Sequence, residues 1–484
     1  MPKSLFNIRI ILRFLGHLLI LEAMLMLICG GIDFLFKDHT QLVFLQAAGL
    51  TFCAGLFLAL NGMHAKRDIG KHESFVIVTL VWVLFSLFGA LPFYLSGHFN
   101  SFTDAFFESM SGFSTTGSSV LVDVEILSKG ILFWRSLIQW LGGMGIILLS
   151  LAIMPMLKIG NYQLLTAEVP GPVYDKIHPR VTVAARRLWF LYSGLTILLV
   201  VLLRLGGMTL FDSICHSLTT MATGGFSTKN ASIAHWDSAY IEGVTVLFMF
   251  LAGTSFVLLY RVFSGKFYKI KQNEEFKAYF YIVLVSGLVL STALFFFADL
   301  SPVKALRTGF FQVVSIITTT GFTTADFSVW VPGIRFLLIV TMFFGAMSGS
   351  TSGNIKIGRI VLYAKISHNE LKRDVHPNAV LPVFFNGRAM PATLIYNLFG
   401  YLFFYIMLMI LSVGIFFAMG LNMEDSLGVF LTSFGNIGPG LGNHFNNFFD
   451  LPGIAKWYSG FLMLVGRLEI YTVFLLFSRT FWRN

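Results

Sequence analysis

The stretch DAFFESMSGFSTTGSS, residues 104–119, contains the pattern that decides the fold. A short apolar segment opens with Asp104 and ends in the cluster Thr115-Thr116-Gly117-Ser118. Its apolar part has about 10 to 15 residues, which is too short for a helix to cross a bilayer but suits a half-helix that enters and turns back. Three further stretches share this plan: DSICHSLTTMATGGFST (212–228), PVKALRTGFFQVVSIITTTGFTT (302–324) and DSLGVFLTSFGNIGPGLG (425–442).

The four stretches form an internal repeat. Each begins with residues that start helices, and the expected N-caps are Asp104, Asp212, Asp425 and, before Pro302, Ser301. The glycines that alignment places in register are Gly117, Gly224, Gly321 and Gly438. Their separations of 107, 97 and 117 residues predict a unit of span, half-helix, glycine loop and span, repeated four times.

Around these stretches the composition is that of a polytopic membrane protein. Of 484 residues, 56% are hydrophobic and 12% are charged, whereas soluble domains carry about 25% charged residues. The apolar runs are continuous, so they predict helices rather than the alternating strands of a barrel. Ten spans are expected, at 8–30, 41–63, 74–96, 130–157, 184–208, 239–262, 277–299, 331–364, 391–420 and 454–478.

The distribution of charge predicts which loops face the cytoplasm. Six segments (1–13, 64–73, 158–187, 261–277, 356–388 and 479–483) hold 24 of the 34 Lys and Arg residues but only 8 of the 24 Asp and Glu residues. Because cytoplasmic loops accumulate basic residues, both termini are expected inside. The net charge of +10 is therefore attributed to topology rather than to nucleic-acid binding. Cys29, Cys53 and Cys215 are scattered, and their spacing predicts neither a metal cluster nor a disulfide framework.

The chemistry of the four loops favours a monovalent cation. Non-helical backbone at membrane depth is tolerated where it is buried or lines a wet cavity. A half-helix entering from outside points its partly negative C-terminal end into the membrane, and rings of carbonyl oxygens replace the hydration shell of K⁺ in potassium filters. No tetrad carries an acidic residue, so the expected ligands are neutral oxygens. The competing interpretation is that these clusters are only turns or close helix contacts.

Two features of the later spans suggest a gate. Residues 345–353, GAMSGSTSG, interrupt the eighth span with small residues that are poor helix formers. They predict either a close-packing face or an unwound loop across the pore. Arg467 lies midway through the last span, where a charge is costly and usually faces a cavity. It is expected to point into the pore or to hold the 345–353 loop through carbonyl contacts.

At these residues the chain resembles the Trk/Ktr/HKT superfamily of potassium transporters, and within it the bacterial TrkH-type membrane subunits. The resemblance covers the four repeats, two extra N-terminal helices, the stretch WRSLIQWLGGMGI from Trp134 and GRLE at 466–469. It implies an all-α protein with ten transmembrane helices, four re-entrant pore half-helices and pseudo-fourfold symmetry. The expected division is two extra helices (1–69) and repeats at 70–180, 181–270, 271–375 and 376–484.

The resemblance also implies the site. Potassium would be bound by main-chain oxygens of the four tetrads, with Gly117 at the position where sodium-preferring relatives carry serine. The implied filter residues are Thr115, Thr116, Gly117, Ala222, Thr223, Gly224, Thr319, Thr320, Gly321, Asn436, Ile437 and Gly438. The implied gate residues are Gly345, Gly349, Ser350, Gly353 and Arg467. The implied partners are membrane lipid, a second copy of the chain and a cytosolic nucleotide-binding regulatory ring, in a bacterial plasma (inner) membrane.

Three alternatives remain open on sequence. The same architecture could pass sodium or other monovalent cations less selectively. A proton-coupled solute symporter would need acids within spans, for which Glu22 and Glu469 are the candidates. An intramembrane enzyme would need converging catalytic side chains, and the sequence has no HExxH or GxSxG motif. The expectation is therefore a transporter that is not an enzyme and uses no organic cofactor and no nucleic acid.

Overall fold

The computed structural model describes residues 7–38, 40–63, 71–145, 181–445 and 447–482, and the protein is mostly helical. In chain order the helices are α1 (Ile8–Phe36), α2 (Gln41–Asn61), α3 (Lys71–Leu95), α4 (Phe102–Phe113), α5 (Lys129–Gly143), α6 (Val181–Leu205), α7 (Leu210–Met221), α8 (Ala239–Ala252), α9 (Phe256–Phe263), α10 (Tyr268–Gln272), α11 (Glu274–Phe297), α12 (Pro302–Ile317), α13 (Pro332–Thr341), α14 (Ile357–Val375), α15 (Ala392–Ala418), α16 (Met423–Gly435), α17 (Gly453–Leu468), α18 (Ile470–Leu475) and α19 (Arg479–Trp482). A short antiparallel hairpin pairs β1 (Phe384–Phe385) with β2 (Arg388–Ala389).

Within the described ranges, six helices are long and apolar enough to cross a membrane, namely α1, α2, α3, α6, α11 and α15. They coincide with six of the predicted spans because each is a continuous apolar run of sufficient length. The second half of the predicted fourth span, from residue 146, lies outside the described residues. So do parts of the predicted cytoplasmic segments 1–13, 64–73 and 158–187.

The predicted span 239–262 is apolar enough to cross a membrane, but it is bent, since α8 and α9 meet at an angle of 105°. The break arises because the loop between α13 and α14 forms backbone hydrogen bonds with the end of α8 and with the start of α9. Met347 N–H donates to Gly253 O (3.0 Å), and Phe256 N–H donates to Gly349 O (3.0 Å). These bonds replace contacts that a continuous helix would make within itself.

Two other predicted spans are also interrupted. In the 331–364 segment, helix α13 ends at Thr341 and α14 starts only at Ile357, so the irregular stretch is longer than the predicted 345–353. In the 454–478 segment, the helix breaks at Glu469, whose φ of 67° lies in the left-handed region. A non-glycine residue in that region costs about 1–3 kcal/mol unless its surroundings hold it there.

Three of the four short helices, α4, α7 and α16, begin one turn earlier than the aspartates predicted as their N-caps, whereas α12 begins after Ser301 as predicted. The N-caps of the four helices are Ser101, Thr209, Ser301 and Asn422. The prediction that the aspartates cap the helices is wrong, because each sits three residues inside. Asp104 N–H donates to Ser101 Oγ (3.2 Å), and that hydroxyl donates back to the Asp104 carboxylate (2.9 Å). The Ser101 hydroxyl thus caps the helix, and the Asp104 carboxylate holds that hydroxyl in place.

Packing repeats along the chain in the same way as the sequence pattern. Each short helix packs against the long helix before it: α4 on α3, α7 on α6, α12 on α11 and α16 on α15. The helices that follow then reach a neighbouring unit, with α5 on α7, α8 on α12 and α17 on α4. The contact between α17 and α4 brings the end of the chain back to the first unit.

The two N-terminal helices form a hairpin that supports α5. Gly16 and Gly55 let the backbones of α1 and α2 approach so closely that a side-chain carbon at either would meet the other helix. At the end of α1, the Asp33 carboxylate accepts the Gly130 N–H. Asp38 accepts the Lys129 N–H at 2.8 Å. These acids satisfy open donors at the positive end of α5.

Candidate functional site

Each short helix ends in a loop with the same backbone conformation. The residue that leaves the helix has a left-handed φ in all four loops, although none of the four is glycine. These residues are Thr115 (57°), Thr223 (54°), Thr319 (56°) and Asn436 (53°). Because the left-handed region is unfavourable for a residue with a side chain, four matching occurrences mark a conformation that the surrounding contacts maintain.

Two residues further on, each loop has a glycine with positive φ. These are Gly117 (83°), Gly225 (75°), Gly321 (82°) and Gly438 (110°). The predicted register is therefore wrong by one residue in the second loop, where Gly225 and not Gly224 corresponds to Gly117. Hydrogen bonds to the short helices agree: Thr116 N–H donates to Ser111 O (2.8 Å) and Gly224 N–H donates to Thr219 O (2.9 Å). The sequence alignment matched Gly224 to Gly117 because each glycine follows a threonine. Ala222, which was predicted as a ligand on that alignment, still has helical backbone dihedrals.

The four loops contact one another in a closed ring. A side-chain carbon on the glycine of each loop would meet a carbonyl oxygen of the next loop, and the fourth loop leads back to the first. The pairs are Gly117 with Gly224 O, Gly225 with Thr320 O, Gly321 with Ile437 O and Gly438 with Thr116 O. The oxygens in these pairs come from equivalent positions. At Gly117, Gly225 and Gly321 a side chain would collide with the neighbouring oxygen, whereas the contact at Gly438 is looser, with Thr116 O 3.1 Å from the position of a side-chain carbon.

All four loops open onto one cavity of about 440 Å³. Its lining includes Gly117, Gly225, Gly321 and Gly438, together with residues that follow each loop. In the described part of the chain, no group of three or more His, Cys, Asp or Glu residues could hold a metal ion. A cation in the ring would therefore meet peptide and hydroxyl oxygens.

A buried ion pair connects the segments that follow the first two loops. Arg135 on α5 and Glu108 on α4 lie 2.8 Å apart, with side chains 3% and 0% exposed. The Glu108 carboxylate accepts the Val120 N–H (3.0 Å), and Arg135 donates to Ser227 O (3.1 Å). The pair thus ties the segments beyond Gly117 and Gly225 together. Sequence reasoning assigned these residues no role, although a charged residue in the interior of each of two apolar helices is a usable signal.

The irregular stretch between α13 and α14 lies against the inner ends of the short helices. Gly353 N–H donates to Thr319 Oγ1 (2.9 Å), and Thr351 Oγ1 donates to Met221 O (3.2 Å). The predicted gate residues Gly345 and Gly353 are close enough that a side-chain carbon on Gly345 would meet Gly353 O.

The other two predicted gate residues of this stretch sit at its turn. Gly349 has a φ of 76°, and the Ser350 hydroxyl donates to Met347 O at 2.6 Å. A side-chain carbon on Gly353 would in turn meet Gly435 O at the end of α16. The 345–353 loop thus contacts the C-terminal ends of α7, α12 and α16.

Arg467, the fifth predicted gate residue, binds this loop. It donates to Thr351 O (2.6 Å), to Gly143 O (2.9 Å) and to Gly142 O. Arg467 and Gly349 also line a smaller cavity of about 130 Å³. The guanidinium therefore joins the loop to the end of α5 beneath the carbonyl ring.

Glu469, two residues beyond, pairs with Arg359 on α14, and their side chains are 14% and 7% exposed. Arg359 was missed because its partner is 110 residues away in sequence.

At the outer edge of the cavity, polar side chains join the segment that follows the first loop to the segment that follows the second loop. Lys229 Nζ donates to Glu125 (3.0 Å), and the Asn230 side chain donates to Asp123 (2.7 Å). The bond from Lys229 lowers the pKa of Glu125, and the bond from Asn230 lowers the pKa of Asp123. Both carboxylates are therefore charged at neutral pH close to the cavity mouth.

Comparison with known proteins gives consistent matches over nearly the full length. A profile of the TrkH family, described as cation transport proteins, matches residues 40–483. The Trk system potassium uptake protein TrkH of Halomonas elongata is 38% identical over 99% of this chain and 100% of its own length. TrkG of Escherichia coli is 32% identical over 99% of both chains. The crystal structure of the potassium transporter TrkH from Vibrio parahaemolyticus matches with a TM-score of 0.90 and 35% identity, covering 99% of this chain and all of that one.

Proposed function

Because this chain belongs to the TrkH family of cation transport proteins, we propose that it takes up potassium through the ring formed by its four glycine loops. Family membership makes it a multi-pass membrane cation transporter and not an enzyme. The single observation that carries the potassium proposal is the closed ring in which each loop glycine faces a carbonyl oxygen of the next loop. Relatives such as the TrkH protein of Halomonas elongata are named as potassium uptake proteins.

The ring supplies the ligands. In the corrected register, the main-chain oxygens proposed to bind K⁺ are those of Thr115, Thr116, Thr223, Gly224, Thr319, Thr320, Asn436 and Ile437. Neutral oxygens at fixed positions suit a weakly hydrated cation, because they replace its water shell without the strong field of carboxylates. The C-terminal ends of the four short helices add partial negative charge beneath the ring.

The 345–353 loop and Arg467 form the proposed gate. The loop lies against Thr319 and Met221 at the inner side of the ring, and Arg467 holds it to the end of α5. A cation leaving the ring toward the cytoplasm would meet this loop and the positive guanidinium. Displacement of the loop would open the path.

The finer architecture is part of the same proposal. Ten spans with four re-entrant half-helices, pseudo-fourfold symmetry and the divisions 1–69, 70–180, 181–270, 271–375 and 376–484 fit the repeated packing of short on long helices. The bias of Lys and Arg toward six segments supports a topology with both termini in the cytoplasm, in a bacterial plasma (inner) membrane. A homodimer in lipid, working with a cytosolic nucleotide-binding regulatory ring, is the proposed assembly.

The test compares Rb⁺ and Na⁺ uptake in a bacterial strain that lacks its own potassium uptake systems. Expression of the chain should restore growth at low K⁺ and give Rb⁺ uptake well above Na⁺ uptake. Uptake that prefers Na⁺ would support the alternative of a less selective cation path and overturn the potassium proposal. Uptake that requires a proton gradient and carries an organic solute would support the symporter instead.

A further inference from the structure

We propose that Gln139 on α5 positions the second quarter of the carbonyl ring, occupying the place of the side chain that Gly224 lacks. This inference rests on the proposed potassium function. The residues equivalent to Gly224 in the other loops are Thr116, Thr320 and Ile437, and each of them has a side chain. The second loop alone has glycine at this position.

Backbone conformation does not account for that glycine. The φ of Gly224 is not in the left-handed region, in contrast to Gly225 one residue later. A side chain at position 224 would instead have to displace the Gln139 carboxamide from its bonds: its first carbon would lie 2.8 Å from Gln139 Nε2 and closer still to the rest of the carboxamide. Gln139 therefore fills the volume that threonine or isoleucine occupies in the other three loops.

The carboxamide also holds the loop at two points. Gln139 Nε2 donates to Gly224 O at 2.7 Å, and Gln139 Oε1 accepts the Phe226 N–H at 3.1 Å. The two bonds bracket Gly225, the glycine that faces the third loop. Gln139 is fully buried, so water does not compete for either bond.

The bond to Gly224 O makes the ring unequal. This oxygen belongs to the set of four that face the loop glycines, and it faces Gly117. In the described parts of the chain, no side-chain donor is observed on the equivalent oxygens of Thr116, Thr320 and Ile437. The second quarter thus presents an oxygen whose position is set by α5 and whose lone pairs are shared with an amide. Gln139 is a positioning residue that acts on ion selection through this oxygen.

The experiment measures the ratio of Rb⁺ to Na⁺ uptake at matched amounts of protein in the membrane. Gln139→Leu keeps the approximate volume and removes both bonds, and the ratio should fall by about three- to tenfold, the factor that a typical hydrogen bond is worth. The control is Gln312→Leu, which removes an equally buried carboxamide whose 3.3 Å bond to Ala325 O lies outside the ring. The control should keep the wild-type ratio.

A second pair of variants tests whether Gln139 occupies the space of a side chain at position 224. This pair also tests the proposal if Gln139→Leu does not reach the membrane. Gly224→Thr alone should abolish uptake, since the new side chain collides with Gln139. Gln139→Ala combined with Gly224→Thr should recover uptake, because the threonine then occupies the vacated space as in the first and third loops. The inference is overturned if Gln139→Leu keeps the wild-type ratio, if Gly224→Thr alone transports normally, or if the double variant is no better than Gly224→Thr. Failure of the wild-type chain to prefer Rb⁺ would instead overturn the proposed function.

Discussion

At the scale of single residues, the ring depends on positions where no side chain fits. Gly225 has a φ of 75°, and a side-chain carbon there would meet Thr320 O. Alanine at this position would face both a strained backbone, at about 1–2 kcal/mol, and a collision with a proposed ligand. We therefore expect Gly225→Ala to abolish Rb⁺ uptake in cells that depend on this chain.

The matched control is Gly243→Ala on α8, where a side-chain carbon would meet nothing within 4 Å. It should transport Rb⁺ as the wild type does. Normal uptake by Gly225→Ala would show that the ring does not require close contact at this point.

Arg467 is the second residue whose replacement has a defined outcome. Arg467→Gln removes the strong bonds to Thr351 O and Gly143 O and removes a positive charge beneath the ring. We expect the substitution to lower the free-energy barrier to ion passage by about 1 kcal/mol, which raises the transport rate about fivefold. The initial rate of Rb⁺ uptake, normalised to protein, measures this change.

Arg204→Gln is the control for charge alone, since Arg204 is exposed and donates to Met208 O near the end of its own helix. A rate for Arg467→Gln at or below that of the wild type would contradict the gate.

The residue scale also shows where sequence reasoning stops. The type of ligand could be predicted from the sequence. The clusters of Gly, Thr and Ser that follow each short helix carry no acidic side chain, so peptide oxygens are the available ligands. The register of the second loop could not be predicted. Gly224 and Gly225 are adjacent glycines, and only their backbone φ angles distinguish them. Gln139 and Arg359 were missed since their partners are 85 and 110 residues away.

At the scale of elements, the N-caps of the short helices differ in strength. Ser101 makes a side-chain bond to the Asp104 N–H, whereas Ser301 makes no side-chain cap bond to α12. Ser101→Ala should therefore destabilise the protein by about 1 kcal/mol, and Ser301→Ala should have a smaller effect. Thermal unfolding of the purified variants in detergent measures the difference, and equal shifts would contradict the cap assignment.

Element boundaries were predictable where a helix satisfies its own backbone. The runs at α1, α2, α3, α6, α11 and α15 became helices because a long apolar segment in a membrane has no other partner for its peptide groups. The bend between α8 and α9 was not predictable in this way. It depends on bonds from Met347 and Phe256 across the 345–353 loop, and such bonds leave no local pattern.

At the scale of the whole molecule, one ion pair joins the end of the chain to its first unit. Lys456 on α17 donates to Asp104 on α4 at 2.7 Å, with side chains 7% and 13% exposed. Because removing Lys456 leaves the largely buried Asp104 carboxylate without its cation, Lys456→Met should cost about 3 kcal/mol. Lys229→Met breaks the more exposed pair with Glu125 and should cost about 1 kcal/mol or less. Comparable losses of thermal stability in the two variants would contradict the closing role of α17.

The central claim is that oxygens from four unequal loops surround one cation on a shared path. Anomalous X-ray scattering from crystals grown in Rb⁺ tests it most directly, because it locates the ion without assuming its ligands. We expect the strongest Rb⁺ signal to lie among the carbonyl oxygens of Thr116, Gly224, Thr320 and Ile437. A strongest signal elsewhere, with the ring empty of Rb⁺, would contradict the account.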